Sequence, residues 1–440
     1  MKLKGKLIEQ LRRVRSSYWF IPGLMTLLAI LMSQFAIKFD QGLRGAWLSQ
    51  WGFLYDNKPE GARALLSTIA GSMIGVAGVT FSITIAAVAY ASSQFGPRII
   101  DNFMDDRGNK ITLGTFISTF IYCLLVLRTV RNGGDGDDFV PHVSVFLGVV
   151  FAVASLVVLI YFIHHIPKSI HVSKLVAKIG RQLIARIDSV YPEMLGVEVE
   201  EVATDTAHID LSKPCLMVRS TEEGHVQSYD VDELMKFAAE RHLLVVMVAE
   251  PGDFVAYSQL LAKVYGDRLV EEKQIREYFV IGNERSPTQD LFYLSDQVID
   301  ITGRALSPGL NDPQTAMLCV DWLTAALARL ACRRFPSRVR SSQDGRPTLI
   351  AREQNFQTFV DSVYDQVRPY VEKDRNAALH MLRRSAALME CIHPIYRRLV
   401  YSASQRLVEG CLKEFTHPRD LEQLGALQKE LAQANRPTGD

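Results

Sequence analysis

Residues 67–98 read "STIAGSMIGVAGVTFSITIAAVAYASSQFGPR", a run that carries no charge before its last residue, Arg98. The uncharged stretch begins at Ala64 and ends at Pro97. A hydrocarbon core about 30 Å thick is crossed by about 20 apolar helical residues. As a single helix, residues 64–97 would reach about 50 Å. Such a segment must tilt, extend beyond the bilayer, or break near its glycines. Its composition is as telling as its length. Ser67, Gly71 and Gly75 recur every fourth residue, and so do Gly78, Ser82 and Ala86. Ladders of small residues let helix backbones approach closely in lipid, where no hydrophobic drive brings helices together. They suit a packing seam, within one bundle or between protomers. A second use of the same residues is a water-filled path around a symmetry axis, with the hydroxyls of Ser67, Ser72, Thr80, Ser82 and Thr84 facing ions or water.

Three further apolar runs flank this one: residues 17–37 ("SYWFIPGLMTLLAILMSQFAI"), 111–127 ("ITLGTFISTFIYCLLVL") and 139–167. With 64–97 they make four expected transmembrane helices, in a membrane domain of residues 1–167. Four spans put both chain ends on one side. Lys2, Lys4, Lys6, Arg12, Arg13 and Arg15 precede the first span, and Lys168, Lys174, Lys178, Arg181 and Arg186 follow the fourth. The loop after the third span carries Asp135, Asp137 and Asp138 instead. By the positive-inside rule both termini and everything after residue 167 are expected in the cytoplasm. The first run is too long for a cleaved signal peptide and lacks a small-residue cleavage pattern. "SSQFGPR" suits a stop and turn, and residues 99–110 then form an amphipathic connector, with Arg98 at the cytoplasmic mouth of any pore.

Ionisable residues deep in the spans, the mark of proton relays and ion-coupled carriers, are almost absent. His164, Lys168 and His171 fall on one helical face, which suits interfacial histidines and could also serve a pH-responsive or metal-binding cluster. The whole chain is balanced, with 49 basic and 48 acidic side chains and a mean hydropathy of +0.07. A nucleic-acid partner, which calls for a gathered basic excess, is not expected. The 6 cysteines show no CxxC pair and read as free thiols in a reducing compartment.

After the spans, residues 168–190 alternate Ile170, Leu175, Val176, Ile179, Leu183, Ile184 and Ile187 with basic residues, the pattern of an amphipathic linker helix. Residues 191–287 contain short strand-like runs ("CLMVRS", "GHVQSYD", "LLVVMVAE", "FVAYSQLLAKV") around one helix, "DVDELMKFAAERH", and read as a small β-barrel-like domain. "EPGDFVAYSQLLAKV" is similar to the turn-and-strand element of biotinyl/lipoyl-type barrels: Gly252, Asp253 and Val255 match. Ser258 stands where that pattern has its second Gly, and no Lys occupies the expected hairpin, so no prosthetic group is implied. Residues 288–440 read as a helical domain, with residues 336–348 ("PSRVRSSQDGRPT") as a loop. Within it, "SPGLNDPQTA" joins two helices. Ser307 or Asp312 can cap a helix starting at Pro308 or Pro313, and Gly309 permits a reversed backbone. Asn311 and Asp312, with Asp296 and Asp300, could alternatively gather a cation. The chain has no P-loop, HExxH, GxSxG or dinucleotide-type glycine pattern, so no enzyme and no cofactor or metal is expected.

"SSQFGPRIIDNFM" (residues 92–104), "GHVQSYD" (224–230) and "RALSPGLNDPQTA" (304–316) together resemble a family of bacterial integral membrane proteins known only as a domain of unknown function. The likeness extends over roughly residues 15–430. It implies a bacterial inner-membrane protein and supplies no activity, ligand or site residues. The fold expected from the residues is therefore a four-span α-helical membrane protein with a cytoplasmic α+β region. The functional expectation is a homo-oligomeric ion channel whose second span lines the pore, contacting lipid and inorganic ions. The alternative is a non-conducting membrane-anchored sensor or scaffold acting through its cytoplasmic domain.

Overall fold

A computed structural model describes residues 17–42, 58–96, 106–131, 139–169, 171–191, 216–266, 270–287, 289–342, 346–352 and 354–436. The chain forms two compact units, Met1–Lys174 and Leu175–Asp440.

Each apolar run in the first unit is a helix. They are α1 (Phe20–Gly42), α2 (Pro59–Phe95), α3 (Arg107–Leu127) and α4 (His142–Ser169), and all four are long and apolar enough to cross a membrane. Half of the most apolar window of α3 is buried, against 17% of that of α2, so α3 is the hub and α2 lies at the margin. The core is built from Ala29 and Ile37 of α1, Leu66 and Ala70 of α2, Tyr122, Cys123 and Val126 of α3, and Val145 of α4. Of the options open to the long second run, the chain takes an unbroken helix of 37 residues, about 55 Å long. It stops at Gly96, whose φ of 106° suits glycine. Arg98 and most of the expected connector, residues 99–105, lie outside the described residues.

Polar side chains tie the helix ends together. Asp40 at the end of α1 accepts from the Val143 and Ser144 amides (3.0 and 2.9 Å) and from Ser144 Oγ (2.6 Å). A carboxylate on one helix thus caps the positive N-terminus of another. Arg63 of α2 donates to the Val130 carbonyl just beyond α3 (2.8 Å). At the opposite end of the helices, Asp106 caps α3 through the Asn109 amide (3.1 Å) and meets His165 Nε2 of α4 at 3.1 Å, with Tyr161 stacked on the imidazole.

In the second unit, which takes in α5 (Val172–Val190) from Leu175 onward, two sheets follow. Strands β1 (Leu216–Arg219), β2 (Gly224–Tyr229), β3 (Leu244–Met247), β4 (Phe254–Val255), β5 (Leu260–Tyr265) and β6 (Phe279–Gly282) alternate with α6 (Val231–Arg241) and α7 (Glu272–Arg276). Helices α8 (Leu291–Ala305) and α9 (Pro313–Ala331) come next. Then follow β7 (Val339–Ser341), β8 (Pro347–Ile350), α10 (Phe356–Val371), α11 (Arg375–Cys391), α12 (Pro394–Glu414) and α13 (Pro418–Ala434).

The expected barrel-like arrangement is not what forms. One sheet has the order β1-β5-β3-β8-β7 and the other β4-β2-β6, and neither closes. The barrel-like element divides between them: β4 pairs with β2 and β5 with β1 and β3. Ser258, in the tight turn between, takes a φ of 64° in the place where the lipoyl-type pattern has its second Gly. The stretch at 336–348, expected as a loop, supplies β7 and the start of β8. The latter pairs in parallel with β3 (Val245 opposite Leu349). The helical stripes pack as their spacing requires: Leu291, Leu294, Val298 and Ile301 of α8 and Phe359, Val363 and Val367 of α10 are buried. Tyr364 of α10 shares a buried hydrogen bond with Ser385 of α11 (2.7 Å).

Candidate functional site

The small-residue face of α2 is turned away from the chain's own bundle. At about 100° per residue, Ser67, Gly71, Gly75, Gly78, Ser82, Ala86, Ala89 and Ser93 fall within a sector about 100° wide, and all are exposed. The buried side of the helix is carried by Ala62, Leu66, Ala70, Ala77, Thr80, Thr84, Val88 and Ala91, which project on the opposite side. A Cβ built on Gly71, Gly75 or Gly78 would meet no atom within 4 Å. Among the described residues of the single chain these glycines therefore make room for nothing. Ser72 is also exposed, beside the stripe. Thr80 and Thr84 part company with the other hydroxyls, because both face the buried side.

The hydroxyls singled out on this helix are satisfied by the helix itself. Ser67 donates to Ala64 O (3.0 Å), Ser72 to Ile69 O (2.9 Å) and Ser82 to Gly78 O (2.9 Å). Thr80 donates to Ala77 O (3.0 Å) and Thr84 to Thr80 O (2.8 Å). With its proton used backward, each exposed serine presents oxygen lone pairs outward. An apolar groove of 570 Å³ runs beside the stripe, between Ala64, Thr68 and Ile69 of α2 and Val149, Ala152 and Val153 of α4.

The second group of residues singled out in the sequence forms the turn between α8 and α9. Asp312 is the cap of α9: its Oδ1 accepts from the Thr315 amide (3.1 Å) and its Oδ2 from Thr315 Oγ1 (2.6 Å). Pro313 takes the first helical position. Ser307 Oγ donates to Arg304 O (2.6 Å), and the Ser307 carbonyl accepts from the Asn311 amide (2.9 Å). The left-handed residue is Asn311 (φ 45°) and not Gly309. Pro308 and Gly309 are exposed. Asp296 is drawn away to Arg285 (2.6 Å), which also holds the buried Asp290 at 2.6 Å. Among the described residues no group of three or more His, Cys, Asp or Glu could hold a metal ion.

Helix α5 carries a set of contacts within the second unit that spacing alone did not reveal. Leu175, Val176, Ile179, Leu183 and Ile187 are buried. The ring of Trp322 on α9 lies directly against Gly180, and Arg181 sits over the same ring at 5.9 Å. At the end of α5, Asp188 accepts from Arg329 Nε (2.6 Å) and from the buried Arg333 (2.5 Å). The Arg329 hydrogen bond, with the charges of both guanidiniums, holds the Asp188 carboxyl below its usual value. Tyr191 donates to Gln354 Oε1 (2.8 Å), and Gln354 donates to Glu250 Oε2 (3.3 Å). Burial raises the Glu250 carboxyl above its usual value. The described cysteines are unpaired, and burial pushes the Cys319 thiol up to about 12, which leaves it unreactive.

Four apolar helices followed by an α+β unit make this a multi-span membrane protein, with no solved structure matching its fold. Over residues 15–386 the chain matches the family described as predicted membrane protein (DUF2254), and it belongs to that family. It is similar to the uncharacterized protein MT1328 of Mycobacterium tuberculosis (strain CDC 1551 / Oshkosh), with 30% identity over 87% of this chain and 75% of the relative. The uncharacterized protein Rv1290c of Mycobacterium tuberculosis (strain ATCC 25618 / H37Rv) is 29% identical over the same shares.

Proposed function

We propose that the protein is a homo-oligomeric ion channel of the bacterial inner membrane, with both termini and the second unit in the cytoplasm. Copies of α2 meet along the small-residue stripe and line the path. The observation that carries this reading is the stripe's direction. Gly71, Gly75 and Gly78 face outward with nothing near their missing Cβ atoms, and in lipid such a surface is useful chiefly to another close-packed helix. Exposed serine oxygens whose protons are already engaged suit cations and water better than anions. Helix α5, anchored by Trp322, Asp188 and Tyr191, is the element through which the second unit would act on the membrane helices. No catalytic step is part of the proposal.

The self-satisfied hydroxyls also favour a second reading. They need no water, so the stripe suits a dry seam in a non-conducting scaffold or sensor. Ion flux from liposomes of phosphatidylethanolamine and phosphatidylglycerol holding the purified protein separates the two. The channel reading expects K⁺ or Na⁺ flux above protein-free vesicles, lost in Gly75→Leu and altered in selectivity by Ser82→Ala. An oligomer that passes neither cation nor Cl⁻ would favour the scaffold.

A further inference from the structure

We infer that the C-terminal helices hold a binding site for a phosphate group, built on the first half of α12. A cleft of 460 Å³ lies between α12 and the end of α13, and its lining includes Arg397, Arg398, Tyr401, Ser402, Gln405 and Asn435. Those positions repeat along α12 at three and four residues, so one face of the helix supplies nearly every group. The volume is that of a small-molecule site.

The chemistry of the lining is one-sided. Among the described residues, two guanidiniums and no carboxylate face the cleft. The phenol, hydroxyl and amides around them can all donate hydrogen bonds. Two of these donors are buried and meet no acceptor among the described residues: Arg397 Nε and Gln405 Nε2. The Gln405 amide is oriented, because its Oε1 accepts from Gln428 Nε2 (3.3 Å) and leaves its NH₂ as the spare group. The Arg397 side chain is held in place by a 3.4 Å hydrogen bond from Nη1 to the Arg436 carbonyl. Buried donors without acceptors are uncommon in proteins. An anion with several acceptor oxygens, held against the Arg397 and Arg398 guanidiniums, supplies the kind of partner such donors lack. Pro394 starts α12 at the edge of the cleft, so the helix dipole adds to the positive field. Arginine pairs with phosphate through parallel hydrogen bonds that lysine cannot reproduce.

The site takes the terminal phosphate of a small soluble molecule or of a lipid headgroup; both present the same oxygens. It is independent of whether the protein conducts ions.

The test uses the full-length protein in detergent micelles, titrated calorimetrically with pyrophosphate and, separately, with dioctanoyl phosphatidic acid. Wild type is expected to bind at least one of them saturably, with a Kd below about 1 mM, a modest affinity for a charged small ligand. Arg397→Ala should weaken that binding at least tenfold. Because that change also removes the contact to Arg436, Arg398→Glu and Ser402→Leu at exposed positions serve as variants that keep the fold, and each should weaken binding as well. Tighter binding of pyrophosphate assigns a soluble phosphate, and tighter binding of phosphatidic acid assigns a lipid. Absence of saturable binding to folded wild type overturns the inference. So does binding that stays within twofold in the Arg398→Glu and Ser402→Leu variants.

Discussion

Helix α2 and the second unit's α5, α8 and α10 spend their small and apolar residues in opposite ways. In the second unit the apolar stripes of α5, α8 and α10 turn inward, and even a glycine is consumed by packing: Gly180 lies under Trp322. In the first unit α2 buries only a narrow face, and its three central glycines turn outward into open space. The contrast follows from the surroundings. In water, buried apolar area stabilises the fold at roughly 25 cal/mol per Å², so an apolar face left outside wastes it. In lipid that term vanishes between helices, and close backbone contact takes its place. A small face turned outward in the membrane is therefore material for contact with another helix.

The same substitution should behave differently in the two units. Gly180→Leu drives a side chain into the Trp322 ring and is expected to cost about 1–3 kcal/mol through overpacking, read by chemical unfolding in micelles. At a dilution that leaves one chain per micelle, Gly75→Leu should change fold stability by less than about 0.5 kcal/mol, its larger effect falling on self-association. Equal costs at the two positions would erase the contrast. Asp188→Asn replaces the carboxylate that Arg329 and Arg333 share with a neutral amide, and a loss of about 1–3 kcal/mol is expected, reduced by the partial exposure of the aspartate. Because the folded carboxyl lies below its ordinary value, its contribution is present above the unfolded value, near 3.8, and is lost as pH falls through the folded one. The variant should therefore show a flatter acid-unfolding profile than wild type.

Smaller effects test the buried polar links. Tyr364→Phe removes the hydroxyl bonded to Ser385 and should cost about 1 kcal/mol. Glu250→Gln has the opposite sign. The raised carboxyl favours the folded state below the unfolded value, near 4.5, and that advantage fades as pH rises through the folded value. The variant should gain on wild type in a thermal melt as pH rises from the unfolded value, near 4.5, through the folded one. A gain that shrinks over that range would contradict the burial argument.

What could be read from the chain depended on how local the cause was. Four spans were legible because a long apolar run is sufficient for a membrane helix, whatever its partners. The Ser67–Gly71–Gly75 spacing was legible too, but not its direction, which is set by where α3 packs. The Asp40 cap on α4 joins residues 103 positions apart, and no local pattern announces it. Strands β7 and β8 were hidden in a stretch rich in Arg and Ser, because their pairing with β3 and with each other overrides weak local preference. The likeness to a lipoyl-type hairpin failed for a related reason: its two strands were drawn into different sheets. In the 307–313 turn the cap was foreseeable from Asp312 and Pro313, whereas the choice of Asn311 over Gly309 for the left-handed residue was not.

The most direct test of the outward stripe is the mass of the protein in detergent micelles, measured by light scattering corrected for bound detergent. Wild type should be a stable multimer of the 49.4 kDa chain. Gly71→Leu/Gly75→Leu should run as a monomer with unchanged helical content. A wild-type monomer, or a multimer that survives both leucines, would contradict the account.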